Sequence, residues 1–449
     1  MCVMVGLTQA ASAHPVVKRS VPAAGDTLSE SPRELMLEFS TSIQLSLSSV
    51  ELVGPDGRTH RIGPLVRSGT DGLTAAIAGT LATGSYHVRW RTAGADGHPV
   101  GGQYTFVVAP QVEAPGDTGH PSVVEHHLAE AFPQQIGQFG VGSAGFVAIR
   151  GMTYALLITL IGVVGFQVLV LQPAGRRLGP DGAAFGEVAM AQSNAVGVAA
   201  SCGLVLTGFA RLTAQVYALT EAGNSPAWET VSAIVSGGAW GLGMALQIGG
   251  GLLAIVGFLL ARRHEAGAST AAYLAVGTLV FFPALSGHAV AVDRFGILPI
   301  VADAVHVLSA GGWLGTLLVM MLVGVPNAVR SDGLHPGGVT SALVNAFSPA
   351  ALVFAGLAVV TGGFAAWMHL GNFAALWSSG YGRTLLLKLA VVSLVALTGG
   401  YNWRRVRPAL GTDLGIRRLT LSASTELVVA AVVIVITAVL VATPPPSGP

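Results

Sequence analysis

The stretch "GSYHVRWRTAGADGHPVGGQYTFVV", residues 84–108, alternates apolar and polar side chains on both sides of a turn. Tyr86, Val88 and Trp90 fall on one face, opposite His87, Arg89 and Arg91. Tyr104, Phe106 and Val108 repeat the pattern beyond the turn. Period two is the mark of a half-buried strand. Working outward, Leu35, Leu37 and Phe39 alternate with Glu34 and Glu38, and the turn signals "GPDG" (54–57) and "GTDG" (69–72) separate further short segments. About seven short strands within residues 14–110 predict a small β-sandwich.

The rest of the chain reads differently. Over 449 residues the protein is 52% hydrophobic and 10% charged, with a mean hydropathy of +0.65. So little charge in a chain of this size indicates a membrane protein. Eight apolar runs long enough to span a bilayer follow residue 143, near 146–171, 186–210, 231–261, 270–290, 298–323, 342–369, 383–403 and 420–442. The predicted fold is therefore an all-β Greek-key sandwich followed by an all-α membrane domain, 143–444, of about eight helices. Residues 111–142, with Pro, Gly, His120, His126 and His127, read as a linker, and 445–449 as a tail.

Ala11-Ser12-Ala13 has the small-x-small form cut by signal peptidase, so 1–13 reads as a signal peptide. Its apolar stretch is short and no basic segment precedes it, which points to a truncated start. With the sandwich outside, the inner loops hold ten arginines (176, 177, 262, 263, 330, 404, 405, 407, 417, 418) and the outer loops three (211, 294, 383). The positive-inside rule then places the sandwich on the extracytoplasmic side of the cytoplasmic (inner) membrane. A net charge of +1 gives no argument for nucleic acid. Cys2 leaves with the signal and Cys202 lies in an apolar run, so no disulfide framework or Cys-x-x-Cys metal site is available.

Cleavage after Ala13 makes His14 the N-terminus. Its α-amine and Nδ1 could chelate one metal ion, and Pro15, lacking an N–H, removes the competing peptide-nitrogen mode. A tetragonal Cu(II) site needs two more ligands. Asp96 and His98 flank Gly97 in "ADGHPV" (95–100) and could supply them. On spacing alone, Asp-Gly as an ordinary turn and His98 as a surface residue stays open.

"AHPVVKRSVPAAGDTL", "LEFSTSI" and "GSYHVRWRTAGADGHPVGGQYTFVV" resemble the copper resistance protein C (CopC) family over residues 14–108. The resemblance implies a periplasmic β-sandwich binding Cu(II) through His14, Asp96 and His98. Met36 is the single methionine of this region, so the methionine-rich Cu(I) site of some members is not expected. His60 and His87 read as strand-surface residues.

The membrane part resembles the copper resistance protein D (CopD) family through "LSGHA" (285–289), "ADAVHVLSAGGWLGTL" (302–317), "AFSPAAL" (346–352), "GYGRTLLLKLAVV" (380–392), "NWRR" (402–405) and "STELVVAAVV" (424–433). Polar residues inside a bilayer are costly and invite a functional reading. His288 at the outer end of span four, His306 two turns inside span five, Asp303 on the same helix face and His369 at the end of span six form a candidate copper path. The bland alternatives are helix-to-helix hydrogen bonds, with Asp303 setting the tautomer of His306. Trp313 reads as packing, and Met320 and Met321 as core or a soft Cu(I) relay. Lys388 and Glu426 are buried ionisable residues, read as an ion pair or a gate.

The expected function is copper binding and uptake, not enzymatic, with Cu(II) captured by the sandwich and Cu(I) crossing the membrane. Copper ions, the lipid bilayer and a periplasmic copper donor are the expected partners. No Walker motif is present. Competing readings are copper buffering without transport, a b-type haem held by His288 and His306, and a copper monooxygenase, disfavoured because Asp96 would fill the open equatorial position.

Overall fold

A computed structural model describes residues 15–94, 97, 99–109, 143–220, 227–236, 238–291, 295–331, 334–370, 372–410 and 412–443. The chain forms two compact units. One holds the sandwich together with residues 215–240, and the other holds the remaining helices.

The sandwich has nine strands: β1 (Val17–Val21), β2 (Thr27–Leu28), β3 (Glu34–Phe39), β4 (Ser49–Val53), β5 (Thr59–His60), β6 (Val66–Ser68), β7 (Gly72–Ala76), β8 (Gly84–Ala93) and β9 (Pro99–Val108). The two beyond the expected seven are the two-residue β2 and β5, too short to leave a periodic signal. One sheet has the order β1-β3-β7-β6 and the other β2-β9-β8-β4-β5. The alternation read in 84–108 becomes a burial pattern: Tyr86, Val88, Trp90, Tyr104, Phe106 and Val108 are buried, while His87 and Arg89 are exposed. Tyr86 stacks on Phe106 at 5.5 Å, and Trp90 meets Phe39 of the opposite sheet edge-on at 5.2 Å. The first pair is a cross-strand stack within one sheet, and the second joins the two sheets across the core. His60 lies against the Tyr86 ring at 5.4 Å.

In the helical unit, seven helical stretches are long and apolar enough to cross a membrane. The first, Ala144–Leu219, is 76 residues long, far beyond the roughly 20 that span a bilayer. It is interrupted by a tight turn at Gly179–Gly182, where Gly179 adopts φ +66°. On either side Gln167 donates to Ser193 and Asn194 at 2.8 Å, and Gly203 lies against Leu156. Both pairings are centred on residue 180, so the stretch is an antiparallel pair of spans. The described residues thus contain eight: span one (144–178), span two (Ala183–Thr220), span three (Gly238–Arg262), span four (Ala268–Leu285), span five (Leu298–Arg330), span six (Pro336–Leu370), span seven (Gly380–Tyr401) and span eight (Asp413–Ala442). Span three begins later than the expected 231. A separate short helix, Ala227–Ser236, precedes it, and Gly238 adopts φ +66°, so the apolar run bends there instead of continuing as one helix.

Glycine permits close packing of spans one and five. Gly162 faces Gly315 so tightly that a Cβ on Gly162 would fall on the Gly315 backbone. This is how small residues replace the hydrophobic drive that lipid removes.

Candidate metal centres

The β8–β9 hairpin stays in register from Gly84 opposite Val108 to Ala93 opposite Pro99, and Gly94 and Gly97 are the described residues of its turn. The Gly97 N–H donates to the Gly94 carbonyl at 2.9 Å, and Gly97 takes φ +74°, a conformation that side chains disfavour. The segment Ser40–Gln44 pins this turn. The Gln44 N–H donates to Ala93 O at 2.9 Å, its Nε2 to Gly94 O at 2.8 Å, and Ile43 bridges Gly94.

The same segment holds the chain where it enters β1. The Val16 N–H donates to Ser40 Oγ at 3.0 Å, and the Ser40 N–H returns to Val16 O at 2.8 Å. Residues next to His14 and next to Asp96 and His98 are therefore fastened to one stretch of five residues, no more than about 18 Å long when extended. His14, Asp96 and His98 themselves lie outside the described residues, as do the signal peptide, the linker and the tail. Burial pushes the Tyr86 and Tyr104 phenols above their ordinary range, so neither supplies a phenolate to a metal near neutral pH.

The turn has a second support that the sequence did not announce. Gln215 donates to the Gly97 carbonyl, the Trp240 indole packs on Gly97, and Arg91 Nη1 donates to Ala218 O at 2.6 Å. By sequence, residues 215–230 read as an outer loop and 231–240 as the start of a membrane span. Only the fold shows that they belong to the same compact unit as the sandwich.

In the membrane unit, His306 is held by span six. Its Nδ1 lies 3.1 Å from Ala358 O and 3.1 Å from Thr361 Oγ1. A carbonyl oxygen only accepts, and the Thr361 hydroxyl already donates to Leu357 O at 2.7 Å. Nδ1 must therefore carry the proton, which leaves the Nε2 lone pair as the ligand atom. Gly362 makes room for the ring, since a Cβ there would lie 3.2 Å from Cε1. The tautomer is thus set by Ala358 and Thr361, not by Asp303 as the sequence suggested. A partner three residues away on the same helix is visible in a sequence, whereas a carbonyl on another helix is not.

Asp303 instead shares its electrostatic surroundings with span seven. The Lys388 ammonium acts on both Asp303 and His306, and Asp303 acts on Tyr381. His369 meets the Tyr381 ring edge-on at 6.1 Å. At 1.5 Å per residue, His306 lies ~12 Å from residue 298, Thr361 ~14 Å from residue 370 and Lys388 ~12 Å from residue 380, so they share one layer. Of the four candidate path residues, His306 is held by span six and His369 touches Tyr381, and the side chain of His288 lies outside the described residues. Its motif is anchored nonetheless: Ser286 accepts from Arg211 Nη2 at 2.9 Å, and Arg211 Nη1 reaches Gln247 Oε1 at 2.5 Å. Lys388 and Glu426 are not the ion pair considered above. Glu426 accepts from Asn402, roughly 12 Å deeper along the bundle by the same rise. Among the described residues, no three His, Cys, Asp or Glu side chains converge on one point as a closed metal cage.

Two family matches decide the identity. The CopC domain matches residues 17–109, and Copper resistance protein D matches residues 341–440. The chain belongs to the copper resistance protein family, as a CopC domain joined to a CopD domain. Copper transport protein CutJ of Bacillus subtilis (strain 168) is 23% identical over 457 residues, covering 99% of this chain and 77% of that protein. Copper resistance protein C of Escherichia coli is 33% identical over 113 residues, covering 23% of this chain and 89% of that protein. The crystal structure of CopC from Methylosinus trichosporium OB3b covers 22% of this chain and 99% of its own, at 28% identity and a TM-score of 0.21. The CopC domain is the nine-stranded sandwich, and the CopD match covers spans six to eight with the Thr361, Lys388 and Glu426 positions. The chain is a multi-pass membrane protein of a copper-handling family whose names denote copper-binding and transport proteins.

Proposed function

We propose that this CopC–CopD chain captures Cu(II) outside the cytoplasmic membrane and passes copper inward through its helical domain. The mature chain begins at His14 after removal of 1–13. His14, Asp96 and His98 form a tetragonal Cu(II) site in a sandwich domain of residues 14–110, joined by the linker 111–142 to the membrane domain 143–444. The anchoring of both flanks to Ser40–Gln44 supports one shared site. The arginine bias of the loops supports an extracytoplasmic sandwich.

The observation that carries the transport reading is His306. A half-buried imidazole whose Nδ1–H is fixed by two acceptors on a neighbouring helix presents Nε2 in one direction, as outer partners do for metal ligands. Copper crosses as Cu(I), because imidazole tolerates it and a single charge costs less to desolvate. The electron comes from an external reductant or from a periplasmic donor that delivers Cu(I). Asp303 balances the positive charge of Lys388 beside the path, and His288 and His369 lie toward its entrance.

Copper accumulation in cells that depend on this protein tests the reading. His306→Ala should abolish accumulation at matched protein levels, while the sandwich still binds Cu(II). Normal accumulation by the His288→Ala/His306→Ala double variant would contradict it. A Soret band in the purified protein would instead assign these histidines to haem.

A further inference from the structure

Glu426 stands apart from the copper path. It is 4% exposed, in the middle of span eight. Asn402 Nδ2 donates to Glu426 Oε2 at 3.2 Å, and the Trp313 side chain lies beside the same carboxyl. The Ser422 hydroxyl donates to Asn402 Oδ1, which turns the amide so that its N–H₂ faces Glu426. Gly399 leaves space beside Oε1, since a Cβ there would lie 3.7 Å away. The Asn402 amide is a neutral donor.

The nearest cations in sequence to its donor are Arg404 and Arg405, which are exposed in the turn that Asn402 opens. Span one has no titratable residue between Tyr154 and Arg176, and span five none between His306 and Arg330. Span six has none before His369, and span seven none between Lys388 and Tyr401. Span eight has none between Arg418 and its end except Glu426 itself. A carboxylate in a bilayer without a counter-ion is expensive. A neutral donor offsets part of that cost, and protonation removes the rest. The site can therefore be occupied in two states, ionised and held by the Asn402 donor or neutral with a bound proton.

Asn402 and Trp313 both sit where a helix is locally widened. Trp313 lies in the π-helical turn Gly311–Gly315 of span five, and Asn402 opens the π-helical turn Asn402–Val406 after span seven. Such turns loosen the regular hydrogen-bond ladder and recur at functional sites. Span five also carries His306, two helical turns before Trp313. One helix thus touches both the copper layer and the carboxyl.

We propose that Glu426 is a proton-binding site, taking up a proton from one aqueous phase and releasing it to the other as the CopD domain moves copper. The coupling half of this statement rests on the transport reading, whereas the proton-binding half does not. The reaction at the site is a protonation only: a carboxylate oxygen gains a proton, and one donor hydrogen bond is released.

Two measurements on the full-length protein test it. Infrared difference spectra over a pH titration should show a protonated-carboxyl band that Glu426→Gln removes and Glu426→Asp shifts. No band lost in Glu426→Gln would overturn proton binding, whether or not copper is transported. In proteoliposomes containing a pH-sensitive dye, copper entry through the wild-type protein should be accompanied by proton movement. Glu426→Gln should reduce that movement to the level of empty vesicles while the sandwich still binds Cu(II). Copper flux with unaltered proton movement in Glu426→Gln would overturn coupling. Absence of copper flux in the wild type would fail the transport reading and leave the infrared result to decide proton binding.

Discussion

Replacing Thr361 by Val removes one of the two acceptors that orient His306 while keeping the shape of the side chain. Thr361 Oγ1 and Ala358 O each lie 3.1 Å from Nδ1, so Ala358 O remains to hold the proton on Nδ1. The tautomer should therefore survive, and only the orientation of the ring should loosen. A hydrogen bond between membrane helices contributes about 0.6 kcal/mol, and one in a soluble protein about 1 kcal/mol. At about 1.4 kcal/mol per tenfold, that range lowers the population of correctly aimed Nε2 roughly 3- to 5-fold. This is less than the 10- to 100-fold loss, roughly, that follows removal of a sole outer partner of a metal-ligating histidine. Initial rates of copper uptake at matched protein levels provide the assay. Thr361→Val should show that modest loss, Thr361→Ser should restore the wild-type rate, and His306→Ala should abolish uptake. A wild-type rate in Thr361→Val would show that the contact does not position the ring. Equal damage by Ser and Val would reduce Thr361 to helix packing.

Gly97→Ala should destabilise the β8–β9 turn by about 1–2 kcal/mol, the cost of a left-handed backbone carrying a Cβ. The Trp240 ring must also shift, because the new Cβ would lie 2.6 Å from Trp240 Cδ1. Thermal melting of the purified protein should show the loss, together with weaker Cu(II) binding, and an unchanged melting curve would contradict the geometry. Mass analysis of the exported protein should find His14 at its N-terminus. A one-residue N-terminal extension and His98→Ala should each weaken Cu(II) binding strongly and change the nitrogen coupling in its EPR spectrum, whereas retention of affinity in both would rule out the chelate.

Much of the sandwich was legible because its chemistry repeats locally. Tyr86, Val88 and Trp90 declare their face by period two, and the same residues are buried in the structure. The strands that escaped notice, β2 and β5, are two residues long and form only because longer neighbours pair with them. Membrane spans were legible from apolar length, yet the start of span three was not. Residues 227–240 are apolar enough to extend a span, and only a bend at Gly238 separates the short helix from it. The Asp96-Gly97-His98 turn could be read as a candidate site, but the supports of Gly97 could not, since Gln215 and Trp240 are far away in sequence and carry no periodic signal. In the membrane, His306 stood out as a costly residue in an apolar run. What holds it, a backbone carbonyl at Ala358 and the Thr361 hydroxyl, belongs to another helix, and no backbone carbonyl is distinguishable in a sequence. Trp313 packs against the core of the bundle, as read, and its neighbour Glu426 comes beside it only once spans five and eight are brought together.

The central claim is that copper crosses the membrane domain by way of His306. Uptake of radioactive copper into proteoliposomes, with a reductant on the outside and the wild-type protein compared with His306→Ala, measures it most directly. The account predicts time-dependent entry through the wild-type protein and none above empty vesicles through His306→Ala, with Cu(II) binding by the sandwich equal in both. Equal entry through both proteins would contradict it.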